Sequence, residues 1–287
     1  MKAQTHEPAR TVKSQAQQPV LVIGGNGKTG KRIVQQLSEL HWPVKAASRS
    51  CETRFDWHDI NTWKPALQGM HAVYISFQPD LAVPGSIDAI RQLVKIASET
   101  DIQKLVLLSG RGEEEAEKCE HIVINSGIDW TILRASWFCQ NFSEGFFLEP
   151  LQANHFALPI DNIAEPFIDT DDIADVAIAA LTEDGHSKKL YELTGPRLLT
   201  FREATEEIGK AIGRIIRYEQ ISLDEYTAML KNYNVPQEYI RLMTYLFTEV
   251  LDGRNQSVKD GVQQALGRKP TDFSEYVRKT AATGIWG

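Results

Sequence analysis

Between Val20 and Ser50 the chain passes from a short apolar run through a glycine-rich turn into an amphipathic stretch, and then into a second apolar run. That order predicts a parallel βαβ unit. The run Val20-Leu21-Val22-Ile23 is short, rich in β-branched residues and bounded by glycine, as expected of a strand buried on both faces. Gly24, Gly27 and Gly30 follow at G-x-x-G-x-x-G spacing. In a dinucleotide-binding turn the first glycine allows the sharp exit from the strand, the second lets the backbone approach a pyrophosphate, and the third lets helix pack closely on strand. The first N–H groups of the helix then face the phosphates. Ile33, Val34, Leu37 and Leu40 recur at helical spacing after the turn, and Val44 to Ser48 is the next strand.

The end of that second strand bears on which dinucleotide is held. An acidic side chain there accepts hydrogen bonds from the ribose hydroxyls of NAD, whereas an arginine accommodates the 2′-phosphate of NADP. The residues are Ser48, Arg49 and Ser50, so a guanidinium fork stands where a carboxylate is missing, and NADP(H) is favoured over NAD(H).

With 287 residues the chain has room for one large α/β domain with a substrate-binding extension. A net charge of −7 argues against nucleic acid or an acidic membrane surface as partner. Cys51, Cys119 and Cys139 are widely spaced with no C-x-x-C pair, which fits a reducing compartment. Residues 1–18 are polar and lack the apolar core of a secretory signal, so they read as a disordered tail. No apolar run long enough to span a bilayer follows, and the expected location is cytoplasmic.

Alternation of strand and helix continues. Asp59 to Leu67 reads as a short helical connection, His71 to Ser76 as a third strand, and Ser86 to Glu99 as a helix. Leu105 to Leu108 is a strand ending at Ser109-Gly110, Glu113 to Asn125 a helix, and Trp130 to Arg134 a strand. The expected fold is α/β: a Rossmann-like doubly wound parallel sheet over residues 19–135. A smaller, mixed and mainly helical substrate region over 136–287 is interleaved with it. There Asp169 to Asp172 can cap a helix from Ile173 to Leu181, Leu190 to Leu193 is a further strand, and Thr200 can cap a helix to Ile212. The segment Pro236 to Leu251 is strongly helical, with Tyr239, Ile240, Met243, Phe247, Val250 and Leu251 on one face.

Gly24 to Gly30, Ala47 to Ser50, Leu105 to Ser109, Thr131 to Arg134 with Trp137 to Phe142, and Asp171 to Ala174 together resemble the NmrA-like family, an atypical branch of the short-chain dehydrogenase/reductases. Within it, Phe55-Asp56-Trp57, Ala47 to Ser50 and Trp137 to Phe142 look most like the ergot-alkaloid reductases that form festuclavine or agroclavine, which reduce a cyclic iminium with NADPH. The family also holds quinone reductases and regulators that sense the nicotinamide pool. The resemblance implies that Gly24, Asn26, Gly27, Lys28, Thr29 and Gly30 surround the pyrophosphate, and that Arg49 and Ser50 meet the 2′-phosphate. It places Asp56 and Trp57 near the adenine, Phe77 and Gln78 beside the nicotinamide ribose, and Ser109 near the ring. Trp137, Phe138, Asn141 and Phe142 would line the substrate pocket.

Many short-chain dehydrogenases use a Tyr-x-x-x-Lys pair to protonate a carbonyl oxygen. The segment Gly112 to Asn125 has no tyrosine, and four residues before Lys118 stands Glu114. Ser109 and Lys118 are what remain as catalytic candidates. An iminium carbon is already cationic, so hydride can add once donor and acceptor are aligned and water is excluded. The leading expectation is therefore an NADPH-dependent reductase of a planar electrophile, a cyclic iminium or a quinone. The competing expectation is a non-catalytic NADP(H)-sensing regulator that binds a protein partner, and a homodimer is also open. Against these stand plainer readings: aromatic residues after a strand are often packed core; Glu113, Glu114, Glu115 and Glu117, which could include a base or a group that stabilises a cation, read as a solvated helix start; and Cys139, which could be a reactive thiol, reads as a small buried hydrophobe. Asp169, Asp171 and Asp172 fit a helix cap, and with no histidine array at ligand spacing no metal site is expected.

Overall fold

The computed structural model describes residues 17–287, so nearly all of the expected tail lies outside the described residues. The first strands and helices are β1 (Val20–Ile23), α1 (Lys28–Glu39), β2 (Val44–Ser48), β3 (Thr53–Arg54), α2 (Trp63–Leu67), β4 (Ala72–Ile75), α3 (Ser86–Ser98), β5 (Lys104–Gly110), α4 (Glu114–Ile124) and β6 (Asp129–Ala135). After them come α5 (Leu148–Gln152), β7 (His155–Leu158), β8 (Ala164–Glu165), α6 (Thr170–Thr182), β9 (Lys189–Leu193), β10 (Leu199–Thr200) and α7 (Phe201–Ile212). The chain closes with β11 (Arg217–Gln220), α8 (Leu223–Asn232), α9 (Gln237–Tyr245), α10 (Gly261–Leu266) and α11 (Phe273–Ala281).

Seven strands form the central sheet in the order β3-β2-β1-β4-β5-β6-β9, and every pairing in it is parallel. This is a Rossmann-like doubly wound sheet. The period of two along β1 explains how both faces are covered. Leu21 and Ile23 enter one core with Val73 and Ile75 of β4 and with Ile90 and Leu93 of α3. Val20 and Val22 enter the opposite core with Ile33 and Leu37 of α1 and with Ile173 and Ala177 of α6. The strand order reverses between β1 and β4, which opens a crevice at their carboxyl ends.

A third core, built only from residues beyond Ala135, is aromatic: Phe142, Phe156, Phe167, Phe201, Phe247 and Phe273 pack with Tyr276 and Trp286. Its helices start where the side chains cap them. Asp169 accepts from the Asp171 N–H at 2.9 Å, and Thr200 with Glu203 and Ser222 with Glu225 form reciprocal capping boxes. Yet α6 and β9 return to the central sheet, so chain order and core do not coincide.

Two local expectations need amendment. The two-residue strand β3, paired Ala47 with Thr53 and Ser48 with Arg54, is too short to show a period in sequence and makes His71 to Ser76 the fourth strand, not the third. The segment read as one helix from Pro236 is regular only to Tyr245 and widens into a π-turn over Leu246–Val250. No helix among the described residues is long and apolar enough to cross a membrane.

Candidate cofactor and substrate site

The glycine turn sits at the carboxyl end of β1, and its geometry leaves no room for a β-carbon at Gly25 or Gly30. Gly24 has φ +79°, a backbone region that glycine enters without strain. A β-carbon at Gly30 would lie 2.2 Å from the Gly24 carbonyl oxygen, so α1 can start against the turn only because position 30 lacks one. The Gly27 N–H donates to Gly24 O at 2.8 Å, and α1 begins at Lys28 with no side chain capping it. The N–H groups of its first turn therefore remain available to an anion. The Thr29 hydroxyl accepts from the buried Tyr74 hydroxyl at 2.8 Å, which fixes its oxygen and leaves its own O–H as a donor.

Beside the turn, Asn26 Nδ2 donates to Ser48 Oγ at 3.1 Å and to Ser50 Oγ at 3.0 Å, tying the turn to the end of β2. Arg49 stands exposed between those serines, with no ion pair among the described residues. Further along, Trp57 packs on Phe77 with ring centroids 4.6 Å apart and edge-on against Phe55, while the Asp56 carboxylate accepts from the His58 N–H at 3.1 Å. A dinucleotide fits this groove. The glycine turn supplies a close backbone approach, and the Asn26, Ser48, Arg49 and Ser50 cluster supplies donors where a 2′-phosphate would lie.

From the crevice a cleft of about 480 Å³ extends toward the aromatic core. Lys28, Phe77, Gln78, Ser109, Trp137, Phe138 and Asn141 line it. Tyr239, Leu242 and Met243 of α9 line it as well. Burial lowers the Lys28 pKa, and its ammonium donates to Asn141 Oδ1 at 3.0 Å. The loop carrying Asn141 is fastened to α1 by Glu144, which accepts from Lys31 and Arg32, each at 2.7 Å.

Two expected site residues lie elsewhere. Phe142 is 0% exposed and packs among Phe147, Phe167 and Phe273, so it belongs to the aromatic core instead of the cleft wall. Lys118 projects from α4 into solvent and pairs with Glu114 at 2.7 Å, one turn away on the same helix. Ser109 does face the cleft, but its hydroxyl donates to Glu120 Oε1 at 2.6 Å. Glu120 is in turn neutralised by Arg134, whose Nε lies 2.9 Å away. The serine proton is thus committed to a buried carboxylate, and what it offers the cleft is its lone pairs. Cys139 is buried, as read from sequence, and burial pushes its thiol well above the ordinary range.

Three further groups line the cleft: Asp80 and Arg111, which sequence reasoning missed, and Glu113, which it weighed as a base but read as solvated. Arg111 is a clamp. Its guanidinium donates to the carbonyls of Asn255 and Ser257, both at 2.9 Å, and the Asn255 side chain donates back to the Arg111 carbonyl. Glu113 reverses the expectation of a solvated acidic run: it is 6% exposed and turned inward. Its carboxyl occupies the space that a β-carbon at Gly110 would fill, with Oε1 only 2.1 Å from that position. Burial raises the pKa of Glu113 well above the carboxylate range, helped by the neighbouring Asp80, and burial likewise raises Asp80. In the sequence the only hint is Gly110, a strand end without a side chain just before the turn at Arg111-Gly112.

A family model described as the NmrA-like family matches residues 16–277. The chain belongs to the NmrA-like family. NmrA-like relatives cover nearly the whole chain at low identity. Prestalk A differentiation protein A of Dictyostelium discoideum is 27% identical over 278 residues, spanning 91% of this chain and 92% of its own length. Agroclavine dehydrogenase of Claviceps fusiformis is 28% identical over 287 residues, spanning 90% of this chain and 96% of its own length. Among solved structures, the Citrobacter sp. triphenylmethane reductase complexed with NADP(H) superposes with a TM-score of 0.77 at 18% identity, covering 91% of this chain and 99% of that one. At that identity the likeness is one of fold.

Proposed function

We propose that this chain is an NAD(P)H-dependent reductase that prefers NADPH and delivers hydride to a planar electrophile, a cyclic iminium or a quinone, held in the cleft between β4, β5 and α9. The observation that carries the reading is continuity. Lys28, at the first position of α1 directly after the glycine turn, lines the same cleft as Phe77 and Gln78 and as Trp137, Phe138 and Tyr239. Apolar walls with a few convergent polar groups are what a flat small molecule needs. The relative named agroclavine dehydrogenase supports the same reading.

Each residue has a physical task. The first turn of α1 and Lys28 hold the pyrophosphate, and Arg49 with Ser50 and Asn26 holds the 2′-phosphate, since a fork of charged donors is strongest against a dianion. Phe77 and Gln78 bound the ribose side, and Asn141, braced by Lys28, fixes part of the cleft wall. Trp137, Phe138 and the α9 residues exclude water and orient the acceptor, which contributes through proximity. When bound, reduced nicotinamide supplies the hydride. Residues 19–135 form the nucleotide-binding part and 136–287 the substrate part, interleaved at the sheet through α6 and β9.

The test is NADPH oxidation, followed by absorbance, across iminiums, quinones and enones. Turnover with NADPH in preference to NADH supports the proposal. Failure across all three classes, with cofactor-dependent capture of a protein partner, would overturn it in favour of a regulator.

A further inference from the structure

Two carboxyls, Asp80 and Glu113, reach the same cleft from the carboxyl ends of adjacent strands, Asp80 from the loop after β4 and Glu113 from the turn after β5. They lie close enough there for each to shift the titration of the other. Two carboxyls side by side in a buried site do not both ionise, so one keeps its proton. Asp80 Oδ1 accepts the Ala82 N–H at 2.8 Å, which favours its charged form. Glu113 has no such support. Its Oε2 is buried with no donor among the described residues. The ionisable groups near Glu113 are Asp80, Glu115, Glu120 and Tyr245, each ionised carboxylate among them disfavouring a further charge, and Arg111, which lines the same cleft with its guanidinium bonded to the Asn255 and Ser257 carbonyls and to Glu192.

We propose that Glu113, beside Asp80 and seated in the space that Gly110 leaves, is the proton donor of the cleft, and that the substrates that use it are neutral two-electron acceptors of the quinone class. This rests on the reductase reading. The acceptor gains a hydride from reduced nicotinamide and a proton from the Glu113 carboxyl. The Glu113 O–H bond breaks as the bond from hydrogen to the acceptor heteroatom forms, the nicotinamide is oxidised, and water returns the proton to Glu113. A preformed cation needs the hydride alone, so it makes no demand on Glu113.

The test compares wild type with Glu113→Gln and Asp80→Asn on two acceptors, a neutral benzoquinone and a preformed cationic triphenylmethane dye. NADPH binding is measured separately by fluorescence. A glutamine keeps the volume and cannot give up a proton, so the quinone rate falls at least ~100-fold more than the dye rate. Asp80→Asn shows the same sense of discrimination to a smaller degree. In the wild type the quinone rate declines as pH rises through the titration of the pair, while the dye rate does not decline with it. Independently of turnover, infrared difference spectra of the resting protein at neutral pH show a protonated-carboxyl band that Glu113→Gln removes. Equal losses on both acceptors, or absence of that band, overturns the proposal while the reductase reading stands. Loss of NADPH binding in the wild type would instead overturn the reading beneath it.

Discussion

Replacing Gly30 with alanine sets two effects of opposite sign against each other. Position 30 is the third residue of α1, where helix propensity alone favours alanine by about 1 kcal/mol. Against that, the new methyl would stand 2.2 Å from the Gly24 carbonyl oxygen and 2.8 Å from the carbonyl carbon, both backbone atoms that cannot rotate aside. The helix must then back away from the turn by something on the order of 1 Å, and overpacking of that kind costs about 1–3 kcal/mol. The clash at least cancels the gain: Gly30→Ala is expected to be less stable by about 0–2 kcal/mol, a fall in Tm of up to a few degrees at this chain length. The displaced helix start also loses at least one charge-assisted hydrogen bond to phosphate, worth about 1.5–3 kcal/mol. NADPH affinity should therefore drop at least ~10-fold. Thermal unfolding with and without NADPH, beside a fluorescence titration, reads both effects. A variant as stable as wild type that still binds NADPH normally would refute the packing role assigned to Gly30.

Arg49→Glu replaces a donor to the 2′-phosphate with a repelling charge, so NADPH binding should weaken about 100-fold while NADH loses little; equal losses would remove Arg49 from that site. Arg134→Met strands the buried Glu120 carboxylate and should lower stability by about 3–5 kcal/mol in urea unfolding, with Glu120→Gln added to it restoring much of the loss. Glu165, 1% exposed, has its pKa pushed up to about 7 by burial. Its folded pKa lies above its unfolded one, so its contribution is full below about pH 4.5 and is lost as pH rises through about 7. Glu165→Gln should therefore gain stability relative to wild type between pH 5 and pH 8, and a constant difference across that range would contradict the burial effect.

The sheet was legible because its signals are local. An apolar run between glycines and a helix-spaced run after it specify β1 and α1 without help from the rest of the chain. The caps at Asp169 and Thr200 were legible for the same reason. What could not be read depends on contacts across long stretches of sequence. Phe142 looked like a pocket residue beside Trp137 and Asn141, but the 3-10 turn over Cys139–Phe142 points it toward Phe273, far along the chain. Glu113 and Lys118 sit five residues apart in one charged run, yet the turn after β5 sends the first inward and α4 sends the second into solvent. Asp80 acquires its meaning only because β4 and β5 are neighbours in the sheet.

The central claim is a site for NADPH at the glycine turn and the end of β2, and a side-by-side fluorescence titration of the purified protein with NADPH and NADH tests it most directly. The account predicts saturable binding of NADPH at least ~10-fold tighter than that of NADH, the worth of one charge-assisted contact at Arg49. Binding of neither dinucleotide would mean that the turn is structural only, and would contradict the reductase reading and the proton donor proposed within it.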